Sequence, residues 1–158
     1  MGQLMLSQTS QHALRALGYI ASVEQGKRVG SAAIARASDV PHGFLLKILN
    51  TMTVRGILLS TRGVGGGFQL ARPAENISMY EIVTTFENLS RTTPGLLGGV
   101  PPESPDLRAM DSTIRRQFDE LLHFLRTTTL DAFSLEDFNR HLHPEAGRDD
   151  TTNTEDTD

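Results

Sequence analysis

The chain has 158 residues, 38% of them hydrophobic and none of them cysteine, and a formal net charge of −4 at pH 7. No apolar run approaches the roughly 20 residues of a membrane span, and the opening MGQLMLSQTS lacks the basic start and apolar core of a secretory leader; Leu6 also stands where a myristoylation signal needs Ser or Thr. Without cysteine there is no disulfide and no thiolate-held metal or cluster, so the expectation is a soluble cytoplasmic protein of one domain, or a small domain with an appendage.

The charge is unevenly placed. Residues 1–76 carry eight Lys/Arg against three Asp/Glu, and residues 77–158 carry seven against sixteen. A basic first half suits a polyanion partner, because neutralising phosphates releases condensed counterions; a solubilising charge spread explains it equally well until a motif is found beside it. Residues 7–24 read as a helix from Ala13, Leu14, Leu17, Ile20 and Ala21 at three- and four-residue spacing, capped by Ser7, Thr9 or Ser10. Arg28–Gly30 forms a short extended link. Ser31 is expected to cap a second, alanine-rich helix whose inward face holds Ile34 and Ala35. Ser38-Asp39-Val40-Pro41 is a turn, with Pro41 in the first turn of a third helix. That helix, Pro41–Arg55, has Phe44, Leu45, Ile48, Leu49 and Met52 as its apolar stripe. Its other face offers His42, Gly43, Leu46, Lys47, Thr51 and Arg55 with no carboxylate among them.

Gly56 closes this helix as a left-handed cap. Ile57–Thr61 and Phe68–Leu70 read as a hairpin around Arg62-Gly63-Val64-Gly65-Gly66-Gly67, whose glycines permit positive φ and close approach to another surface. A nucleotide-phosphate loop is the competing reading; GVGGG lacks the Lys-Ser/Thr ending and sits in a hairpin, not between a strand and a helix. The order helix, turn, helix, glycine-rich hairpin over residues 31–73 is a winged helix-turn-helix, a shape that places one helix in a DNA major groove.

Ser78 and Glu81 form a capping box, with Ile77 and Ile82 as its hydrophobic staple, and the helix they start is expected to run to about Asn88. Residues 89–105 hold four prolines and three glycines and form a loop. Leu107, Met110, Ile114, Phe118, Leu121 and Leu125 then recur at helical spacing over about 20 residues, roughly 30 Å. A winged-helix core cannot bury all of such a stripe, so these six residues are expected to pair with a second copy in a homodimer. Ser134 starts a last short helix carrying Leu135, Phe138 and Leu142. Residues 144–158 have six acids, one Arg and no large apolar residue, the composition of a disordered tail. The domain reading is therefore 1–88 for the winged helix-turn-helix, 89–105 for the loop, 106–143 for the dimerisation helix and short final helix, and 144–158 for the tail.

LSQTSQHALRAL, IARASDVPHGFLLKIL, STRGVGGGFQLARP, ISMYEIV and FLRTTTLDAF together resemble the winged-helix transcription regulators of the IscR/NsrR/CymR family, over about residues 5–140. The resemblance implies a mainly α fold with a small β-hairpin wing, a long C-terminal dimerisation helix, and a homodimer acting on an imperfect palindrome. It implies that Arg62 enters the minor groove, and that His42, Gly43, Leu46 and Lys47 face base edges. One branch has a glutamate where this chain has Leu46; leucine makes only apolar contact, for instance with thymine methyls, so the target should differ. Cluster-binding members carry three cysteines in the loop and at the start of the long helix. Here Arg108 and Asp111 lie near those positions, residues 89–110 hold no histidine, and the five histidines (12, 42, 123, 141, 143) have no metal-ligand spacing. No metal, iron–sulfur cluster or other cofactor is expected.

The expected function is a sequence-specific transcriptional regulator, a repressor in the first reading. It binds double-stranded DNA as a homodimer and has no membrane partner and no enzymatic activity. Lys47 and Arg55 would meet phosphates, Thr51 belongs to the same DNA-binding face, Arg62 would read the minor groove, and the amides of Gly65 and Gly66 would touch the sugar–phosphate strand. The alternatives are control by a small-molecule effector or a docked protein partner through loop 89–105, or a winged helix used for protein interaction alone.

Overall fold

The computed structural model describes residues 6–89, 95, 97 and 100–132. Helix α1 (Gln8–Ser22) lies against the segments 31–38, 42–54, 67–70 and 79–84. Ser7 caps it, accepting from the Ser10 amide at 3.2 Å. Ala13, Ala16 and Leu17 are fully buried, and the two alanines let neighbouring backbones come close. Glu87 ties down the entry to α1, its Oε1 accepting from the Ser7 amide and from the Ser10 hydroxyl at 2.7 Å each. Burial alone would raise the Glu87 carboxyl's pKa, but the hydrogen bonds from Ser7 and Ser10 outweigh it and leave it below the ordinary value.

Helix α2 (Ser31–Ser38) is capped by Gly30, not by Ser31 as the sequence suggested. Ser31 lies inside the helix and its hydroxyl turns across to α3. Asp39, at φ 51° and ψ 50°, ends α2 in the left-handed region, which Asp tolerates better than most residues. Pro41 is the N-cap of α3 (His42–Val54) and not its first residue. The C-terminus of α3 is a Schellman motif. Gly56, at φ 74°, donates to the Thr53 carbonyl at 3.0 Å, and Ile57 donates to the Met52 carbonyl at 2.9 Å. Met52 and Ile57 are both fully buried, the apolar contact that goes with this motif.

The wing is β1 (Leu58–Thr61) paired antiparallel with β2 (Gly67–Leu70), in the register Leu58↔Leu70 to Thr61↔Gly67. The extended link before α2 adds a third edge, because Val29 and Phe68 exchange two backbone hydrogen bonds of 2.9 Å. Gly67 is required at that edge: its φ is 142°, and a Cβ there would lie 2.6 Å from the Val29 oxygen.

After a 3-10 turn at Ala74–Asn76, Ser78 caps α4 (Met79–Thr84), accepting from the Glu81 amide at 3.2 Å. The staple residues Ile77 and Ile82 are fully buried. The Glu81 carboxylate pairs with Arg72. The helix stops at Thr84, short of Asn88. The Thr84 and Thr85 hydroxyls donate to the Tyr80 and Glu81 carbonyls, and the Thr85 and Phe86 amides reach back only three residues, so the last turn tightens and ends.

Helix α5 (Pro105–Thr127) is 23 residues long, with Pro105 at its start. Its C-terminal end joins the main core, where Leu125 is 4% exposed and Leu130 fully buried. The chain then returns to the start of α4: Leu130 donates to the Ile77 carbonyl at 2.8 Å, and Met79 donates to the Thr128 carbonyl at 2.9 Å. Arg126 lies 4.7 Å from the centre of the Tyr80 ring, a cation–π contact. The expected short helix from Ser134 and the acidic tail lie outside the described residues. Loop 89–105 is described only at 89, 95, 97 and 100–105.

Candidate nucleic-acid interface

On α3 the inward stripe is Leu45, Ile48, Leu49 and Met52, all at most 2% exposed. Phe44 does not belong to it: the ring is 38% exposed and sits edge-on to His12, with centroids 5.4 Å apart. Burial and then the nearby Arg15 charge lower the His12 pKa, with Asp39 opposing them. The remaining face carries His42, Gly43, Leu46, Lys47, Asn50 and Thr51, of which Leu46 and Thr51 are half-buried and the rest exposed. The Thr51 hydroxyl donates to the Lys47 carbonyl at 2.9 Å. Asn50 was missing from the sequence reading, although the spacing 43, 46, 47, 50 places it on this face. A Cβ added at Gly43 meets nothing within 4 Å. Packing therefore does not demand glycine there, although glycine in a helix costs about 1 kcal/mol relative to alanine.

Arg55 stands at the far end, about 20 Å from His42 at 1.5 Å per residue. It borders a cleft of about 380 Å³ whose walls include Tyr80 and Glu87. The geometry thus separates Arg55 from the cluster at the start of α3. Arg62 leaves the end of β1 exposed, and Val64 is fully exposed at the tip of the wing. Among the described residues no ion pair engages Lys47, Arg55 or Arg62. Gly63 and Gly65 have φ of 91° and 73°. Gly66 is not in the left-handed region; there the limit is space, since a Cβ would lie 2.3 Å from the Thr61 oxygen. Arg72 was also missed: it donates to the Asn76 carbonyl at 3.0 Å and the Gly56 carbonyl at 3.3 Å, and pairs with Glu81. It fastens the exit of the wing to the end of α3 and to α4.

The expected dimerisation stripe divides. Leu107 and Met110 are 48% and 54% exposed, and Ile114 and Phe118 half-buried. Leu121 packs against the chain's own core, and Leu125 lies inside it. Leu125 is thus removed from any outer face, because the end of α5 must cover α4. Phe124, 57% exposed, was not anticipated. Asp111 is buried and accepts from Arg115 Nε at 2.7 Å.

The Rrf2 family model, described as an iron-dependent transcriptional regulator, matches residues 6–137. The chain belongs to the Rrf2 family. As an Rrf2 protein it is a transcriptional regulator, and it is 27% identical over 146 residues to a protein of Aquifex aeolicus (strain VF5) named for a helix-turn-helix-type transcriptional regulator, spanning 89% of this chain and 98% of that one. Its fold is similar to that of CymR, the global cysteine regulator of B. subtilis, with TM-score 0.68 and 21% identity over 82% of this chain and 95% of that one. It is also similar to T. potens IscR, with TM-score 0.59 and 19% identity over 92% and 93%. The donor set does not fit the cysteine-held cluster of cluster-binding regulators, since the chain contains no cysteine. Among the described residues no group of three His, Asp or Glu is placed to hold a metal, nor is any helix long and apolar enough to cross a membrane.

Proposed function

We propose that this Rrf2 protein is a sequence-specific DNA-binding repressor that acts as a homodimer on a palindromic operator without an iron–sulfur cluster. The observation that carries the reading is the start of α3. It presents an exposed, acid-free surface with a bare patch at Gly43, and Lys47 and the wing residue Arg62 stand exposed with no ion pair among the described residues. A helix face without carboxylates approaches phosphates without repulsion, and a missing side chain lets the backbone come close to base edges. In this reading His42, Gly43 and Leu46 meet the major groove, Asn50 adds a polar group there, Lys47 holds a phosphate at its edge, and Arg62 enters the minor groove. Thr51, Arg55 and the backbone at Gly65 and Gly66 flank the sugar–phosphate strands. Occupying an operator blocks transcription with no further contact surface, which favours repression.

The dimer face in this proposal is Leu107, Met110, Ile114 and Phe118 with Phe124, and not Leu125. The test is anisotropy titration of a selected operator and of a scrambled duplex at one fixed salt concentration. Arg62→Ala should weaken operator binding about 5- to 150-fold, the equivalent of about 1–3 kcal/mol, and scrambled binding far less. Lys47→Ala should weaken both about equally. Negligible effects of both substitutions would overturn the placement.

A further inference from the structure

The hydroxyl of Ser31 is not used where the sequence would place it. Gly30 caps α2 without any side-chain bond, and the Ala33 and Ile34 amides of the first turn are satisfied by the Gly30 carbonyl. The Ser31 Oγ instead lies 2.9 Å from Nε2 of His42. The turn at Asp39–Pro41 brings the starts of α2 and α3 within side-chain reach of one another, and the contact lies at an exposed edge. A solvent-exposed hydrogen bond adds little to folding stability, so its consequence is local and concerns the direction of the imidazole.

An unrestrained histidine ring has a broad, roughly two-fold preference about its last torsion. It therefore presents either edge, with either nitrogen protonated. A partner on Nε2 removes that ambiguity. We propose that Ser31 is a positioning residue for DNA reading: its hydroxyl donates to Nε2 of His42, places the ring proton on Nδ1, and turns that N–H outward as a donor for a purine N7 or guanine O6. The inference rests on the DNA-binding reading above and adds to it a residue outside the recognition helix and a base class. Purine N7 and guanine O6 are the acceptors that the major groove offers on those bases, and the negative potential of DNA favours a donor over a lone pair at this edge. Ser31 itself need not touch DNA.

The test uses the full chain, an operator obtained by selection from genomic DNA, single-base-pair variants of that operator, and a scrambled duplex, all at one salt concentration. Ser31→Ala should lower the operator-to-scrambled affinity ratio about three- to tenfold, the range expected for one hydrogen bond, and leave scrambled binding unchanged. Ser31→Thr, which keeps the hydroxyl, should restore the ratio. Ser31→Ala in a His42→Ala background should have no further effect, since the two residues act through one contact. Long-range proton–nitrogen spectra of the free protein should show His42 protonated at Nδ1, and a mixture of tautomers after Ser31→Ala. Equal weakening of both duplexes by Ser31→Ala, additive effects of the two substitutions, failure of threonine to rescue, or an Nε2-protonated ring would each overturn the proposal. If the wild-type protein shows no preference for any duplex, the DNA-binding reading fails and this inference fails with it. If preference is present but the ring signature or the coupling is absent, only this inference fails.

Discussion

Replacing Gly66 by alanine probes whether the wing is held by backbone crowding at its tip. A Cβ there would lie 2.3 Å from the Thr61 oxygen, 2.8 Å from the Gly63 oxygen and 3.0 Å from the Arg62 carbonyl carbon. All three are main-chain atoms, so no side chain can swing aside. Carbon–oxygen contacts usually begin near about 3.3 Å, so the tip must open by about 1 Å. The Gly66 amide would then lose its 3.0 Å bond to the Gly63 carbonyl, and the Thr61↔Gly67 end of the ladder would separate. Two or three backbone hydrogen bonds at about 0.5–1.5 kcal/mol each give a cost of about 1–4.5 kcal/mol, overlapping the roughly 1–3 kcal/mol range for overpacking. Gly65→Ala is the control. Nothing lies within 4 Å of a Cβ there, and the cost is only that of its φ of 73°, about 1–2 kcal/mol. Amide hydrogen exchange read alongside operator binding separates the two. Gly66→Ala should lose protection at the residue 66 amide, which bonds the Gly63 carbonyl, while Leu17 and Leu49 keep theirs, and operator affinity should fall about tenfold or more. Wing protection and affinity equal to wild type would refute the crowding argument.

Arg72→Ala should lower stability to urea by about 1–2 kcal/mol, because it removes two bonds to backbone carbonyls and an ion pair whose side chains are 34% and 37% exposed. Lysine there should recover only part of this, since one ammonium cannot span the three partners; an unchanged urea midpoint for the alanine variant would contradict the fastening role. The lowered His12 pKa means that the unfolded chain takes up a proton first as pH falls below 6.5. Stability from the neutral ring is complete above that pH and is lost on falling through it toward the folded value. His12→Phe should flatten that part of a plot of urea midpoint against pH, and an unchanged slope would contradict it. Met110→Glu places a charge on an exposed apolar position of α5. In sedimentation equilibrium it should raise the dimer dissociation constant about tenfold or more, and an unaffected dimer would exclude this face.

Where local chemistry decides the structure, the sequence was legible. Ser7, Gly56 and Ser78 each do what their position in a cap motif implies, and the stripe Leu45, Ile48, Leu49, Met52 follows from helical period alone. The misread positions are those settled by neighbours distant in sequence. Phe44 has helical spacing but faces His12 across the surface. Leu125 continues the apolar stripe of α5, yet the return of Leu130 to Ile77 draws that end of the helix into the core. Ser31 looks like a cap until Gly30 is seen to do that work, leaving the hydroxyl for His42. Arg72 reads as another basic residue of a basic half, and only the fold shows its three partners. Within the candidate interface, the exposed residues of α3 and the wing were recognisable from composition and order. The separation of Arg55 from the start of α3, and the packing limit at Gly66, depend on three-dimensional placement.

The most direct measurement incubates the purified full chain with sheared DNA from its own genome at near-physiological salt and sequences what is retained. The account predicts a small set of promoter fragments sharing an imperfect palindrome, protected on two half-sites, with the enrichment lost in Arg62→Ala and the total DNA retained by that variant changed little. Retention without sequence preference, no retention, or an enriched set unchanged by Arg62→Ala would contradict it.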